Sequence, residues 1–161
     1  MSAVKDFLTE WEREFACTTR VMGSLPPTAL NWRPHPKSMT AGELVWHLVS
    51  TERMAVSSYL AGRILREPGP ETPVTLQAMI QAYALQHQDL AGRVRKAPDE
   101  AWTRTFPFLD GQALPGGDFL RALLIHHAIH HRGQLSVYLR LLDAKVPPVY
   151  GPTADHPQRP A

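Results

Sequence analysis

The chain has 161 residues, of which 43% are hydrophobic and 20% are charged, and its formal net charge is only +2. This length suits a single globular domain, while the small charge and the scattered basic residues argue against a nucleic-acid partner. Cys17 is the only cysteine, which excludes an intramolecular disulfide. With no apolar signal region and no run long enough to span a bilayer, we expect a cytoplasmic protein without a membrane partner.

The first segment, about residues 2–23, predicts a helix. Its apolar residues recur at helical spacing: Val4, Phe7, Leu8, Trp11, Phe15 and Met22. Ser2 is its candidate N-cap, and Gly23 with the prolines that follow ends it. Residues 25–39 contain four prolines, which exclude a long helix and predict an ordered loop.

Thr40-Ala-Gly-Glu43 is a capping box, which predicts that a second helix begins here and continues to about Leu60. On this helix His47 falls on the inward stripe, with the small or polar residues Thr51, Ala55 and Ser58 nearby. A single inward histidine has two interpretations. It is a hydrogen-bonded core residue, or it is a ligand that needs partners from elsewhere.

A linker, residues 62–73, precedes a third helix that begins near Thr75. His87 lies on the apolar stripe of this helix. Three roles are open for it: a core histidine with a partner, a residue at the rim of a site, or a group that supports metal ligands from outside the coordination sphere. The first of these is preferred. Residues 97–117 contain aromatic residues and an Asp110-Gly111 turn signal, which indicate a short hairpin or an ordered loop.

The fourth helix is predicted over residues 119–142, with Asp118 as its N-cap. It contains four histidines within six residues. With Leu120 set at 0°, His127 falls at roughly −20° and His131 at roughly +20°, so both rings face one point inside the bundle. The remaining two, His126 and His130, lie about 100° away on the flank.

The same helical angles predict outward positions for other residues of this helix. Arg132 is expected on the far side from the histidine pair, together with Arg121, Ser136 and Arg140. Ile125 and Ile129 are expected to project from the side opposite the pair. They would either form an interface between subunits or pack beneath the loop 102–108.

Two histidines spaced i, i+4 on an apolar face form a natural clip for a transition metal such as zinc, nickel, iron or copper. With His47 they make three imidazole ligands with open coordination positions, which is typical of a catalytic metal site. The alternative is a polar core network without metal. The pattern is not His-Glu-x-x-His, because residue 128 is alanine, so no glutamate base is built in.

Several stretches together resemble the DinB/YfiT-like family of damage-inducible, metal-dependent proteins, which is unrelated to the translesion polymerase of similar name. They are residues 25–39, 42–47, 127–142 with the block His-x-x-x-His-Arg-Gly-Gln, and 145–152. The resemblance implies an all-α, up-down-down-up four-helix bundle with a long crossover, which we expect over residues 1–150, before a polar tail at 151–161. It also implies a divalent metal, nickel or zinc, on His47, His127 and His131.

The resemblance further implies frequent homodimers, a supporting role for His130, and in some relatives a low-molecular-weight thiol as co-substrate. We therefore interpret the chain as a metal-dependent enzyme acting on a small molecule, either a thiol S-transferase or a hydrolase. The reacting group would be a metal-bound water or thiolate. The alternative is a non-catalytic metal-binding protein of the stress response, and DNA binding is disfavoured because no basic stripe is visible.

Overall fold

A computed structural model describes residues 3–66 and 68–157, apart from the side chain of Asp110. Ser2, the candidate N-cap, lies outside these residues. The helices are α1 (Ala3–Met22), α2 (Ala41–Ala61), α3 (Leu76–Arg95), α4 (Asp99–Thr103), α5 (Gly116–Arg121) and α6 (His127–Leu141). Two short strands, β1 (Thr105–Pro107) and β2 (Ala113–Pro115), pair as an antiparallel hairpin. The all-α fold predicted from the sequence is confirmed, and one of the two alternatives for residues 97–117, the hairpin, is present.

The predicted capping box at the start of α2 is confirmed. The Thr40 hydroxyl accepts a hydrogen bond from the amide of Glu43 at 3.1 Å, and the Glu43 carboxylate accepts one from the amide of Thr40 at 2.7 Å. These two bonds satisfy amides that have no partner within the helix and fix where α2 begins. At the other end Gly62 adopts φ 70°, a left-handed conformation that glycine reaches without steric cost.

Side-chain contacts give the directions of the four long helices. Glu12 meets His87 while Phe15 meets Tyr83, so α1 and α3 are antiparallel. The amide of Gln86 donates to the Val49 carbonyl, and the ring of His87 lies next to Glu52. These contacts make α2 and α3 parallel.

The last helix completes the order. Arg121 pairs with Glu10 and Arg132 pairs with Glu14, so this helix runs parallel to α1. The arrangement is therefore up-down-down-up, and the described residues 62–66 and 68–75 belong to the crossover between α2 and α3.

The last helix is not α-helical throughout. Between α5 and α6 lies one turn of π-helix, Ala122–His126, in which the amide of His127 bonds to the carbonyl of Ala122, five residues earlier. The helix also starts before the predicted position, because Pro115 rather than Asp118 stands at the N-cap. The prediction for Asp118 was therefore wrong. The hairpin leads directly into α5, and Gly116 and Gly117 are buried within the first turn.

Of the outward positions predicted for this helix, that of Arg132 was wrong, whereas Ile125 takes the second of its two predicted arrangements and packs beneath the loop 102–108. Ile125 is only 2% exposed and belongs to the core with Phe7, Phe106 and Phe119. Arg132 is also 2% exposed, because α1 covers the side of the helix that was expected to face solvent. The last helix thus buries a broad arc rather than a single stripe. The histidine pair lies at the edge of that arc.

The buried Arg132 is fully engaged with α1 and with the segment after α6. It donates to the Glu14 carboxylate at 2.6 Å, to the Glu14 carbonyl at 3.2 Å and to the Thr18 hydroxyl at 3.1 Å. The Tyr150 hydroxyl contacts Arg132 and donates to the Glu14 carboxylate at 2.6 Å. Burial, with the hydrogen bond to Glu14, raises the pKa of Tyr150 to about 12. This cluster fastens the segment after α6 against the bundle.

The described part of the predicted tail, residues 151–157, is also attached to the bundle. The carboxylate of Asp155 pairs with Arg140 at 2.7 Å and accepts from the amide of Val146 at 2.9 Å. These bonds lower the pKa of Asp155 to about 2. Among the described residues, no helix combines the length and apolar character that crossing a bilayer requires.

Candidate metal centre

Local structure positions each of the three histidines predicted to be ligands. His47 lies two turns into α2, whose starting point the capping box fixes. His127 is the first residue of α6, directly after the π-helical turn, and His131 follows one turn later. Since α2 and the last helix pack against each other, their neighbouring faces carry one and two histidines respectively.

The structure brings these three side chains together. The Nε2 atoms of His47 and His127 are 3.0 Å apart, and those of His127 and His131 are also 3.0 Å apart. One ring nitrogen from each of the three lies within 4.8 Å of the others. Zinc bound at about 2.0–2.1 Å in a tetrahedral site would hold its ligand nitrogens about 3.3 Å apart, which is close to this spacing.

The number of protons that the three imidazoles share also favours a bound cation. The Nδ1 of His131 lies 2.8 Å from the side-chain oxygen of Gln134 and donates to it, which leaves a lone pair on Nε2 of a neutral His131. A neutral His127 can donate from Nε2 to only one of its two neighbours. Three converging nitrogens therefore share too few protons to satisfy one another, whereas a metal ion would accept all three lone pairs.

Electrostatics keep these imidazoles neutral near pH 7. Burial, followed by the neighbouring charges of His131, His47 and His130, lowers the pKa of His127 to about 4. The pKa of His47 is lowered by burial and by His131. Burial also lowers the pKa of His131, although its hydrogen bond to Gln134 acts in the opposite direction. Neutral imidazole is the form that binds metals, so protons compete weakly at this cluster.

Gln134 is a functional residue that the sequence reasoning missed. Its oxygen accepts from His131, and its amide nitrogen lies 3.1 Å from Nε2 of His130. The predicted supporting residue His130 is exposed; besides this contact with Gln134, its ring lies edge-on to that of His131, with the centroids 4.8 Å apart. The spacing of Gln134 was the available signal in the sequence, because a residue three positions after His131 lies on the same side of a helix. His126 is exposed on the outer face of the same helix.

His87 lies in a different network, and its polar contacts are with carboxylates. It is 2% exposed, with Nδ1 3.2 Å from Glu52 and Nε2 3.0 Å from Glu12. The indole nitrogen of Trp11 donates to the same Glu52 oxygen at 3.1 Å, and Phe15 stacks on the imidazole. Of the roles considered for this residue, these contacts match the core histidine with partners.

A cavity of about 610 Å³ opens beside His47, which forms part of its wall. We call it the loop cavity, because the loop 33–39 forms much of its lining. The lining includes the cationic side chains of Arg33 and Lys37, the half-buried Trp46, and Ser50. The volume is in the range of small-molecule binding sites. A ligand in this cavity could therefore approach His47 from solvent.

Comparison with known proteins gives the chain a family. Residues 10–135 match the sequence profile of the DinB superfamily. The chain belongs to that superfamily. A Bacillus subtilis (strain 168) protein named uncharacterized protein YrdA is 29% identical to this DinB protein over 154 residues, which cover 92% of this chain and 89% of the relative. The family predicted from the motifs is thus confirmed.

Solved structures give this DinB protein the same fold. A DinB-like protein from Bacillus cereus is 26% identical with a TM-score of 0.75, over 91% of this chain and 97% of the other. A DinB-like protein from Bacillus subtilis is 21% identical with a TM-score of 0.74, over 90% and 96% of the two chains. The mycothiol-dependent maleylpyruvate isomerase shares the fold at 12% identity, with a TM-score of 0.58 over 89% of this chain and 64% of the isomerase.

Proposed function

We propose that this DinB protein is a divalent-metal-dependent enzyme that acts on a small molecule, as a thiol S-transferase or a hydrolase. The observation that carries the proposal is the convergence of three imidazoles, one of which, His47, lines a solvent-accessible cavity. His47, His127 and His131 would hold zinc or nickel, both of which suit imidazole ligands. A bound divalent cation would lower the pKa of a thiol or water in a remaining coordination position.

The residues around the cluster suit this role. Among the described residues, the histidine group contains no carboxylate or thiolate that would complete a closed four-ligand site, which favours a catalytic over a purely structural centre. Gln134 holds His131 in the tautomer that presents Nε2. Arg33 and Lys37 place two positive charges in the loop cavity against the one carboxylate of Glu43, and the excess would attract an anionic substrate or thiol.

Use of a thiol is favoured by one structural neighbour, an isomerase whose name includes dependence on mycothiol. We propose the transferase as the thiol-dependent reaction of this chain. In such a reaction a sulfur–carbon bond forms, the leaving group of the second substrate departs with the bonding electron pair, and the thiol proton passes to solvent. In the hydrolase, water supplies the nucleophilic oxygen and also the proton that the leaving group takes up. The loop cavity would hold the thiol in the first case.

Elemental analysis of protein purified without a histidine tag tests the metal assignment. Wild-type protein is expected to contain one zinc or nickel ion per chain, and His127→Ala should lose it while its circular dichroism remains helical. His126→Ala is the matched control, because His126 lies exposed on the same helix and should leave the metal content unchanged. Equal metal content in wild type and His127→Ala would show that the site is misassigned.

Consumption of a panel of low-molecular-weight thiols with an electrophile, and release of product from ester and amide substrates, then tests catalysis. Metal-dependent turnover that His127→Ala abolishes and His126→Ala retains is expected. Metal binding without turnover across the panels would favour the non-catalytic stress-response protein.

We also propose a cytoplasmic homodimer, following the family resemblance. Ile125 cannot form its interface, because that side chain is buried within the subunit. Sedimentation equilibrium should give twice the monomer mass, and a monomer mass would remove this part of the proposal.

A further inference from the structure

A second cavity, of about 630 Å³, lies at the hairpin end of the bundle, and we call it the hairpin cavity. Its walls include Met54 of α2, Phe108 and Leu109 of the hairpin, and Leu123 of the π-helical turn. Arg66 is the charged residue among the described residues that line it. The volume and the apolar walls with one polar group are typical of small-molecule sites.

Helix geometry connects this cavity to the histidine cluster. Met54 follows His47 by seven residues, which places it within about 20° of the same face and about 10 Å further along α2. Leu123 precedes His127 by four residues, so it lies roughly one turn before the pair on nearly the same face. Two cavity walls are therefore direct continuations of the faces that carry the histidines.

Since α2 and the last helix run antiparallel, Met54 and Leu123 lie toward the same end of the interface between these two helices. The Tyr138 hydroxyl donates to the carbonyl of Met39 at one end, and the ring of Tyr59 lies next to Gly116 at the other. The histidines lie between these contacts. The loop cavity flanks the cluster on the side of Met39, and the hairpin cavity on the side of Tyr59.

The two cavities differ in chemistry. The loop cavity is lined by the charged residues Arg33, Lys37 and Glu43 and by several hydroxyl groups, whereas the hairpin cavity is walled mainly by aliphatic and aromatic side chains. Leu109 is 71% exposed at the hairpin, and a ligand that covered it would remove apolar surface from water. The contents of the hairpin cavity should therefore be apolar, with Arg66 able to meet an anionic end.

We propose that the hairpin cavity binds the apolar body of the second substrate, an alkyl or aryl electrophile, while its reacting atom extends toward the histidine cluster. The loop cavity would then receive the polar thiol or water. The reactive half of this inference rests on the proposed function, but the binding of an apolar ligand depends only on the cavity.

Binding of a fluorescent probe to the full-length protein tests the cavity directly. The anionic probe 8-anilinonaphthalene-1-sulfonate should bind one site per chain, and Leu109→Asp should weaken it by about tenfold, because a charge replaces an apolar contact. Leu85→Asp is the matched control, since Leu85 is an exposed leucine on α3 at 63% exposure. It should leave the affinity unchanged. Equal affinities for all three proteins would overturn the proposal, as would no binding by the wild type.

Arg66 provides a second arm of the same experiment. Arg66→Ala should weaken the anionic probe and leave the neutral probe N-phenyl-1-naphthylamine unaffected, because only the first carries a charge for the guanidinium. An equal effect on both probes would exclude Arg66 as the anion contact. Sedimentation with the probe present must show an unchanged mass. Loss of probe binding on association would instead assign the cavity to a second copy of the chain.

Turnover separates this inference from the proposed function. We consider electrophiles with one reacting group and alkyl chains from about two to about eight carbons. In the wild type KM should fall as the chain lengthens, and in Leu109→Asp it should fall much less. Within each protein kcat should not depend on chain length. Turnover with a KM independent of chain length would refute the cavity assignment and leave the metal-dependent enzyme standing. Probe binding by a protein that holds no metal and shows no turnover would support the cavity assignment and refute the metal-dependent enzyme.

Discussion

The hydrogen bond between His131 and Gln134 predicts a measurable effect on metal affinity. In Gln134→Leu the size of the side chain is nearly kept, but Nδ1 of His131 loses the oxygen that it contacts at 2.8 Å. The imidazole is then free to rotate and to place its proton on Nε2, the nitrogen that faces His127. Before a metal could bind, the proton would have to return to Nδ1 and the ring to its original orientation.

The structure sets the size of the expected effect. Loss of a group that orients a metal-bound histidine typically lowers affinity by about 10- to 100-fold. Gln134 is exposed, so water can replace part of the lost bond, and we expect the lower end of this range. A tenfold loss corresponds to about 1.4 kcal/mol. Gln134→Glu should keep or increase the affinity, because a carboxylate accepts the same proton more strongly.

Competition with a chromophoric chelator measures the zinc dissociation constant of each variant at fixed pH and ionic strength. Gln88→Leu serves as the control, because Gln88 is an exposed glutamine on α3. If Gln134→Leu and Gln88→Leu both bind zinc as tightly as the wild type, Gln134 does not orient a ligand, and the tautomer argument for the site fails.

Three further predictions concern stability. Arg132→Ala should lower the free energy of unfolding in urea by about 3–5 kcal/mol, because it leaves the carboxylate of Glu14 buried without its cation, and an unchanged midpoint would contradict this. Although burial opposes it, two carboxylate contacts raise the pKa of His87. The metal-free protein should therefore lose stability as pH rises above about 6.5, a slope that His87→Gln should remove in urea titrations at several pH values. Gly116→Ala should destabilise the protein by about 1–3 kcal/mol in thermal unfolding, because its Cβ would lie 2.2 Å from the carbonyl of Ala101.

The parts of the site that sequence could predict are those that local geometry determines. The capping box fixed the start of α2, and from there helical phase placed His47 inward. The i, i+4 spacing joined His127 to His131 on one side of the last helix, and all three meet in the structure. Phase needs only a correct starting point and a regular helix over the residues concerned. Both conditions hold for His47 within α2 and for the spacing of His127 and His131 within α6. The inward direction of the pair, which was taken from Leu120, was correct although the π-helical turn lies between.

The failures arose where long-range packing decides the outcome. The helical angles left two arrangements open for Ile125, and only the folded structure shows it buried in one cluster with Phe7 and Phe106. Arg132 was expected in solvent because a single sequence does not show that Glu14, more than a hundred residues earlier, lies opposite it. Buried charge pairs break the rule that charged residues mark the outer face of a helix. Their partners are visible only after folding.

The two groups of inward histidines in this bundle show how their surroundings separate a structural role from a metal-binding role. His87 is buried among Glu52 and Glu12, and its pKa is raised because protonation completes a charge pair. His47 and His127 contact other imidazoles, and their pKa values are lowered first by burial and then by repulsion from the neighbouring rings, with no carboxylate contact to offset either effect.

A cluster of neutral nitrogens at the edge of the core is costly unless a cation binds it, since its lone pairs lack enough donors. The buried acids and bases elsewhere are paired with each other, as in Arg132 with Glu14. Among the described residues, the buried charged groups outside the histidine cluster thus have partners of opposite charge, whereas the cluster meets mainly other imidazoles. That distribution is what a site that must accept a metal and then a substrate requires, and it is the physical reason to expect chemistry there rather than at His87.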